Sequence, residues 1–266
     1  MHWVLDNNFK RESGYEALKD VIVRMGLPHT EVKAAIFGEV FPKPEEITPN
    51  LADGPVVVMG SMSLCDYAKK KGWSPGAFSN AYNFNHSAYK TGYGEHLLNY
   101  DGHVVKFGEA DTADPSLGVF FMRPYHDTKS FAGQIINRGD FQDWKEKIRR
   151  IQDENYTTIS TNTLVVVAPL KKILREYRFF IVDGRVITGS LYKMGDRVTY
   201  QENTDDAGAF AQKMTFDFEP SRAFVLDIAL TEEGYKVIEA NCFNSAGLYA
   251  CDVNKIVNAV ESMDYS

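Results

Sequence analysis

Residues 224–248 read FVLDIALTEEGYKVIEANCFNSAGL, and two runs of alternating apolar and polar residues flank the central TEEG. This is the pattern of a β-hairpin. Which acids meet across it depends on the loop. A two- or four-residue loop puts Asp227 opposite Ile238 and leaves the acids on opposite faces. A three-residue loop over 232–234, with Gly234 supplying the left-handed residue of a bulge, puts Asp227 opposite Glu239, and this is the predicted register. Phe224, Leu226, Ile228 and Leu230 then share a face with Ile238, Ala240 and Cys242. Asp227, Glu239 and Asn241 share the other face, because residues two apart on a strand lie on one side. Three oxygen donors on one patch meet the requirement of a Mg²⁺ ion that bridges phosphates.

The chain of 266 residues is long enough for one large or two modest domains. A hydrophobic share of 44% and a charged share of 24% are globular values. The net charge of −7 gives no support to a sequence-blind nucleic-acid partner, which needs a basic surface. Three cysteines (Cys65, Cys242, Cys251) without metal-ligand spacing fit a reducing compartment and no disulfide framework. The start MHWVLDNNFK has neither a basic region nor a long apolar run, so no signal peptide is expected. No window of 18 apolar residues stands out as a membrane span. A cytoplasmic location and no membrane partner are the expectations.

Along the chain, residues 2–5 read as a strand, 12–25 as a helix stopped by Gly26 and Pro28, and 31–37 as a second strand. FPKPEEITPN (41–50) is a proline-rich loop before the apolar strand of GPVVVMGS and a helix over 64–71. This alternation predicts a small parallel β/α unit. Gly60 and Ser61 stand where strand meets helix, so they read either as a ligand edge or as a tight turn and N-cap. The stretch 73–100, rich in Asn, Tyr, Phe and Gly, reads as a recognition surface or as packed irregular chain. A strand at 103–107 follows, then two strands around a polar turn in 118–136 that carries Arg123, Asp127, Lys129 and Gly133. Residues 140–154 form an amphipathic helix whose charges read as a solvated side. In 163–193 Asp183-Gly184 signals a hairpin whose two-residue turn sets Arg178 opposite Gly189, leaving room beside the guanidinium. Helices are expected over 205–216 and 251–263, and the change from β/α alternation to hairpins predicts a domain boundary near residue 100.

Cations on a strand and turn (Arg123, Lys129), an apolar strand ending at Pro169, Glu176 and Arg178 on one strand face, and the acid–amide trio make up the specification of a nucleoside triphosphate site. In this order the motifs RPYHDTKSFAG, EYRFFIVDGRVITGS and LDIA…VIEANCFNSAG resemble the ATP-grasp superfamily, and in particular its phage and bacterial clade with Arg-Pro where most members have Lys-Pro. The resemblance covers roughly residues 100–255. It implies an α+β ATP-grasp fold, two α+β subdomains sandwiching ATP over residues 101–266, behind a small Rossmann-like α/β domain over 1–100. It implies ATP and Mg²⁺ as cofactors. Arg123 matches the cation on the α-phosphate and Lys129 the loop cation over the β- and γ-phosphates. Val167, Ala168, Pro169 and Leu170 match the hinge at the adenine edge, and Glu176 the ribose carboxylate. Asp227, Glu239 and Asn241 match the Mg²⁺ ligands, and Arg178 faces the γ-phosphate or an acyl-phosphate. Taken singly, each residue also reads as an ordinary surface cation or a polar strand residue. It is their common order that carries the likeness.

The implied activity is an ATP-dependent carboxylate–amine ligase working through an acyl-phosphate on small-molecule or peptide substrates, with Lys129 and Arg178 as the catalytic cations and the acceptor beside 244–247. Two departures bear on it. Many family members carry an Arg two residues before the Mg²⁺ Asp, where this chain has Val225, with Arg178 or Arg222 as the candidates to replace it, and the loop after Arg123 holds only Gly133 as glycine. A phosphotransferase on the same fold and a nucleotide-binding regulatory protein without turnover are the alternatives.

Overall fold

The computed structural model describes residues 1–34, 40–41, 54–79, 82–151, 158–202 and 206–265. Most of the proline-rich stretch 41–50, and the ends of the predicted elements 31–37, 140–154 and 205–216, lie outside them. By its contacts the chain forms two compact units, Met1–Asn80 with Ile173–Ser266, and Ala81–Lys172. These units divide the chain elsewhere than at residue 100.

In the first unit β1 (His2–Asp6), β2 (His29–Ala34), β3 (Val40–Phe41), β4 (Val56–Met59) and β5 (Pro75–Gly76) form a sheet in the order β3-β2-β1-β4-β5. β1 pairs in parallel with β2 and β4, and β4 with β5, as the β/α alternation predicts. The crossing helices are α1 (Tyr15–Arg24) and α2 (Met62–Lys70). Ser61 is the N-cap of α2, accepting the Leu64 amide at 3.3 Å, and its hydroxyl donates to Asp6 at 2.6 Å. Asp6 is fully buried and also accepts the amides of Asn8, Ala34 and Ser61. A Cβ on Gly60 would stand 2.2 Å from that of Asp6. The turn-and-cap reading of Gly60-Ser61 therefore holds.

The second unit, 81–172, contains α3 (His86–Tyr93), β6 (His103–Lys106), β7 (Val119–Pro124), β8 (Gln134–Asn137), α4 (Arg138–Arg150) and β9 (Leu164–Ala168). Its sheet is antiparallel, in the order β6-β9-β7-β8. Phe107, Phe120, Phe141, Val165 and Val167 fill the core, with Phe107 and Phe141 edge to face at 5.2 Å. The expectation of a wholly solvated charged side on α4 is corrected here. Lys145 is buried in an ion pair with Asp111 at 2.8 Å, and Arg138 donates to the carbonyls of Asp111, Leu117 and Asp114. A charge in an amphipathic pattern stays inside when a carboxylate or carbonyl meets it there. In the 73–100 stretch Phe78, Phe84, Tyr89, Tyr93 and Leu97 are buried packing residues.

The first unit is completed by β10 (Ile173–Val182), β11 (Arg185–Met194), β12 (Arg197–Glu202), α5 (Ala207–Asp217), β13 (Ala223–Thr231), β14 (Gly234–Cys242) and α6 (Val253–Glu261). The strands form an antiparallel sheet in the order β12-β11-β10-β13-β14. At one end of its inner face Phe180, Val182, Ala223 and Val225 join Trp3, Leu18, Phe243 and Ile256 in a single apolar core. α5 packs against β10, β11, β13 and β14.

Both predicted hairpins turn on two residues. Asp183-Gly184, at φ 43° and 72°, make the predicted turn. The β13–β14 turn is Glu232-Glu233 between the paired Thr231 and Gly234, not the predicted three-residue loop. The Thr231 hydroxyl closes it, donating to the Gly234 carbonyl at 2.8 Å and accepting the Glu233 amide at 3.2 Å. Asp227 still faces Glu239, because a bulge between Asp227 and Ile228 takes up Ile238 as an extra residue. Val237 rather than Ile238 therefore fills the apolar face opposite Ile228. A second bulge, between Phe180 and Ile181, moves Gly189 to Phe179 and sets Ser190 opposite Arg178. Gly189 thus makes room for the ring of Phe179, whose atoms stand 2.3 Å from where a Cβ would be, and not for the guanidinium.

Candidate functional site

The β10–β13–β14 face gathers the polar residues of the hairpin. Arg178 pairs with Asp227 across β10–β13, and Asp227 with Glu239 across β13–β14. The guanidinium forks onto the carboxylate, Nε to Oδ1 and Nη2 to Oδ2, both at 2.8 Å. Its remaining nitrogen, Nη1, donates to the Gly247 carbonyl at 3.2 Å. Asn241 is fully buried and donates through Nδ2 to Asp227 at 3.1 Å and to Glu239 at 3.2 Å. Burial acts to lower the pKa of Arg178, but the Asp227 charge and its hydrogen bonds outweigh that and raise it. The guanidinium is therefore a fixed cation.

Two further residues, absent from the sequence expectations, complete this cluster. Tyr249, at φ 52°, lies under the Arg178 guanidinium at 4.7 Å from the ring centre, and Tyr192 lies at 5.7 Å. The rings of Tyr192 and Tyr249 stack at 5.1 Å, and those of Tyr200 and Tyr249 at 4.9 Å. Burial first, then the Asp227 charge, raises the Tyr192 phenol well above its ordinary value. Burial also raises the Tyr249 phenol, against the opposing effect of Arg178. Glu176 accepts the Tyr192 hydroxyl at 2.8 Å on Oε2 and pairs through Oε1 with Lys193 at 2.8 Å. Tyr192 was visible in the sequence as the one aromatic residue of β11. What was not readable is that 249 returns over the strand, held by Thr188 and Ser190, which accept the amides of Asp252 and Ala250.

The small segment after Asn241 joins parts of the first unit through Asn244. Asn244 is fully buried, donating to the Val58 carbonyl at 2.7 Å and accepting the Phe78 amide at 2.7 Å. The Gly60 amide donates to the Asn244 carbonyl at 2.8 Å. Asn244 is thus a tie between the two sheets of the first unit. At Gly247 a Cβ would stand 3.3 Å from Cε1 of Tyr249, closer than an ordinary contact, so the glycine leaves room for that ring.

The other expected residues lie in the second unit. Arg123, on β7 opposite Val166 of β9, is buried, and its Nε donates to the Pro124 carbonyl at 3.3 Å. Lys129, at φ 53°, pairs with Asp127 at 2.8 Å. Val167 pairs with both His103 and Met122, whereas Ala168 pairs only on the β7 side. Pro169 and Leu170 follow the strand, and Leu170 is exposed. His86 is buried, and its Nε2 has no hydrogen-bond partner. Burial first, then Arg123 and Lys90, lowers its pKa to about 4.

The donors at the hairpin are all oxygen chemistry, two carboxylates and a carboxamide, so they fit a hard divalent ion such as Mg²⁺. Asn241 would have to present its Oδ1 in place of Nδ2 to act as a ligand. Among the described residues no group of three His, Cys, Asp or Glu side chains gathers as a metal cluster, so such an ion would need oxygens beyond these acids.

A family model for the ATP-grasp domain, the third family of its clade, matches residues 28–260. The chain belongs to this family. No curated protein matches the sequence. Among solved structures, the D-cycloserine synthetase DcsG is similar in fold, with a TM-score of 0.64 at 12% identity over 97% of this chain and 98% of that one. The D-alanine–D-alanine ligase of Bacillus anthracis has a TM-score of 0.57 at 13% identity, over 98% of this chain and 92% of that one. The ATP-grasp ligase PsnB, solved with the precursor peptide PsnA2 and AMPPNP, has a TM-score of 0.54 at 12% identity, over 98% and 96%. Against this ATP-grasp background Val225 has a physical explanation. It is fully buried beside Phe180 in the apolar core, where an arginine would be an unpaired buried charge. On the neighbouring strand Arg178 stands beside Asp227.

Proposed function

We propose that the chain is an ATP-dependent carboxylate–amine ligase that uses Mg-ATP, with small-molecule or peptide substrates. The observation that carries the reading is the Asp227–Glu239–Asn241 cluster braced by Arg178 in a chain of the ATP-grasp family. The ligases among its fold neighbours support it. Residues 101–266 are read as the ATP-grasp part, behind a Rossmann-like part in 1–100, and the protein as cytoplasmic. No helix among the described residues is long and apolar enough to cross a membrane.

In this reading Asp227, Glu239 and Asn241 hold Mg²⁺, which supplies charge neutralisation at the phosphates. Arg123 and Lys129 bind phosphate oxygens, the backbone of 167–170 meets the adenine edge, and Glu176 accepts from the ribose hydroxyls. A substrate carboxylate oxygen attacks the γ-phosphorus as the bond to the β-phosphate oxygen breaks, giving an acyl-phosphate and ADP. An amine nitrogen then attacks the acyl carbon, inorganic phosphate leaves, and the nitrogen loses a proton. Lys129 and Arg178 carry the catalytic load as fixed positive charge.

Val225 favours a second reading, a phosphotransferase, because a cation that would stabilise acyl transfer is missing from its usual place. Product analysis separates the two. A ligase releases free phosphate only with both carboxylate and amine present, whereas a phosphotransferase leaves the phosphoryl group on its acceptor. Glu239→Gln is expected to abolish ATP turnover with the fold retained by circular dichroism. Unchanged turnover overturns the metal assignment.

A further inference from the structure

A carboxylate that reads a sugar must be held in one orientation. Glu176 meets this demand through two consecutive residues of β11. Glu176 pairs with Lys193 and Tyr177 with Leu191, so Tyr192 is the extra residue of a third β-bulge. In a regular strand successive side chains point to opposite faces, and only one of Tyr192 and Lys193 could reach Glu176. The bulge turns both toward it, the phenol onto Oε2 and the ammonium onto Oε1, each at 2.8 Å. Each carboxylate oxygen keeps a second lone pair for another donor. Tyr192 is itself fixed, stacked on Tyr249 at 5.1 Å and lying beside the Arg178 guanidinium. Its raised phenol pKa keeps it a donor throughout the physiological range.

We propose that Tyr192 is a positioning residue that orients Glu176 toward the vicinal hydroxyls of a ribose and so makes the site selective for ribonucleotides. The proposal rests on the ATP reading above and deepens it. A second consequence follows from the ring. Because Tyr192 touches Glu176 through its hydroxyl and Arg178 through its π-face, the sugar and metal ends of the site share one support.

The test compares the binding of Mg-ATP and Mg-2′,3′-dideoxy-ATP by calorimetry in the unaltered chain, Tyr192→Phe and Lys193→Met. The unaltered chain is expected to prefer ATP. Tyr192→Phe keeps the stack and loses only the hydroxyl, so it is expected to lose about tenfold in affinity for ATP while its affinity for the dideoxy analogue stays the same. Lys193 is more exposed, so Lys193→Met is expected to give a smaller loss in the same sense. Equal weakening of both nucleotides, or full retention of the preference in Tyr192→Phe, overturns the positioning role and leaves the ATP reading standing. An unaltered chain that binds both equally overturns the role of Glu176. Failure of the unaltered chain to bind ATP at all overturns the ATP reading, and this assignment with it.

Discussion

Arg178→Met removes the cation from a carboxylate that has almost no access to water. Asp227 is 2% exposed and Arg178 8%, and the replacement deletes two 2.8 Å bonds, the 3.2 Å bond to Gly247 and the stack on Tyr249. The Asn241 amide stays on Asp227 as a neutral donor, which does not replace a counter-charge. Breaking a buried pair from one side costs about 3–5 kcal/mol, because the surviving charge is left without compensation. For a unit of this size that is a fall in melting temperature of roughly 6–20 °C. Removing both charges with Arg178→Met and Asp227→Leu together should recover much of the loss, since an apolar pair of similar volume carries no desolvation cost. The assay is urea unfolding of the four proteins in a double-mutant cycle, with an expected coupling of about 2–3 kcal/mol. A cost below about 1 kcal/mol for Arg178→Met, or strict additivity in the double variant, would refute the view that the pair is a buried and mutually dependent unit.

Asn244→Ala strands the Val58 carbonyl and the Phe78 amide, so a loss of about 2–4 kcal/mol in unfolding free energy is expected from urea denaturation. His86 has a folded pKa lowered from 6.5 to about 4, so the unfolded chain binds the additional proton between those values. Its contribution is complete above pH 6.5 and is lost as the pH falls to about 4, by up to roughly 3 kcal/mol, and His86→Gln should flatten urea midpoints measured across that window. Cys65, Cys242 and Cys251 are buried thiols, and burial pushes Cys251 up to about 12. A thiol reagent should therefore label none of the three in the native protein and all three in guanidinium.

Much of the site was legible because strand periodicity and motif order are local properties. Glu239 and Asn241 share a face because the residue spacing along their strand requires it, and Asp183-Gly184 turns the chain because few other pairs accept two positive φ values. The bulges were not legible. Ile187, Tyr192 and Ile238 carry no composition signal, yet each shifts a register by one residue. The predicted three-residue loop reached the right acid pair for the wrong reason, with the extra residue lying in the strand and not in the turn.

The sequence by itself determined the hairpins, the parallel β/α start and the identity of the acids, since these follow from alternation, turn chemistry and residue spacing. Only the tertiary structure decided that Arg178 belongs to Asp227, that Tyr192 and Lys193 converge on Glu176, and that Asn244 ties two sheets together. The physical reason is that those pairings join residues 49, 16 and 186 positions apart in the chain. Such partners are selected by burial, which leaves a charge or an amide no water to bond and so requires a partner from wherever the fold brings one.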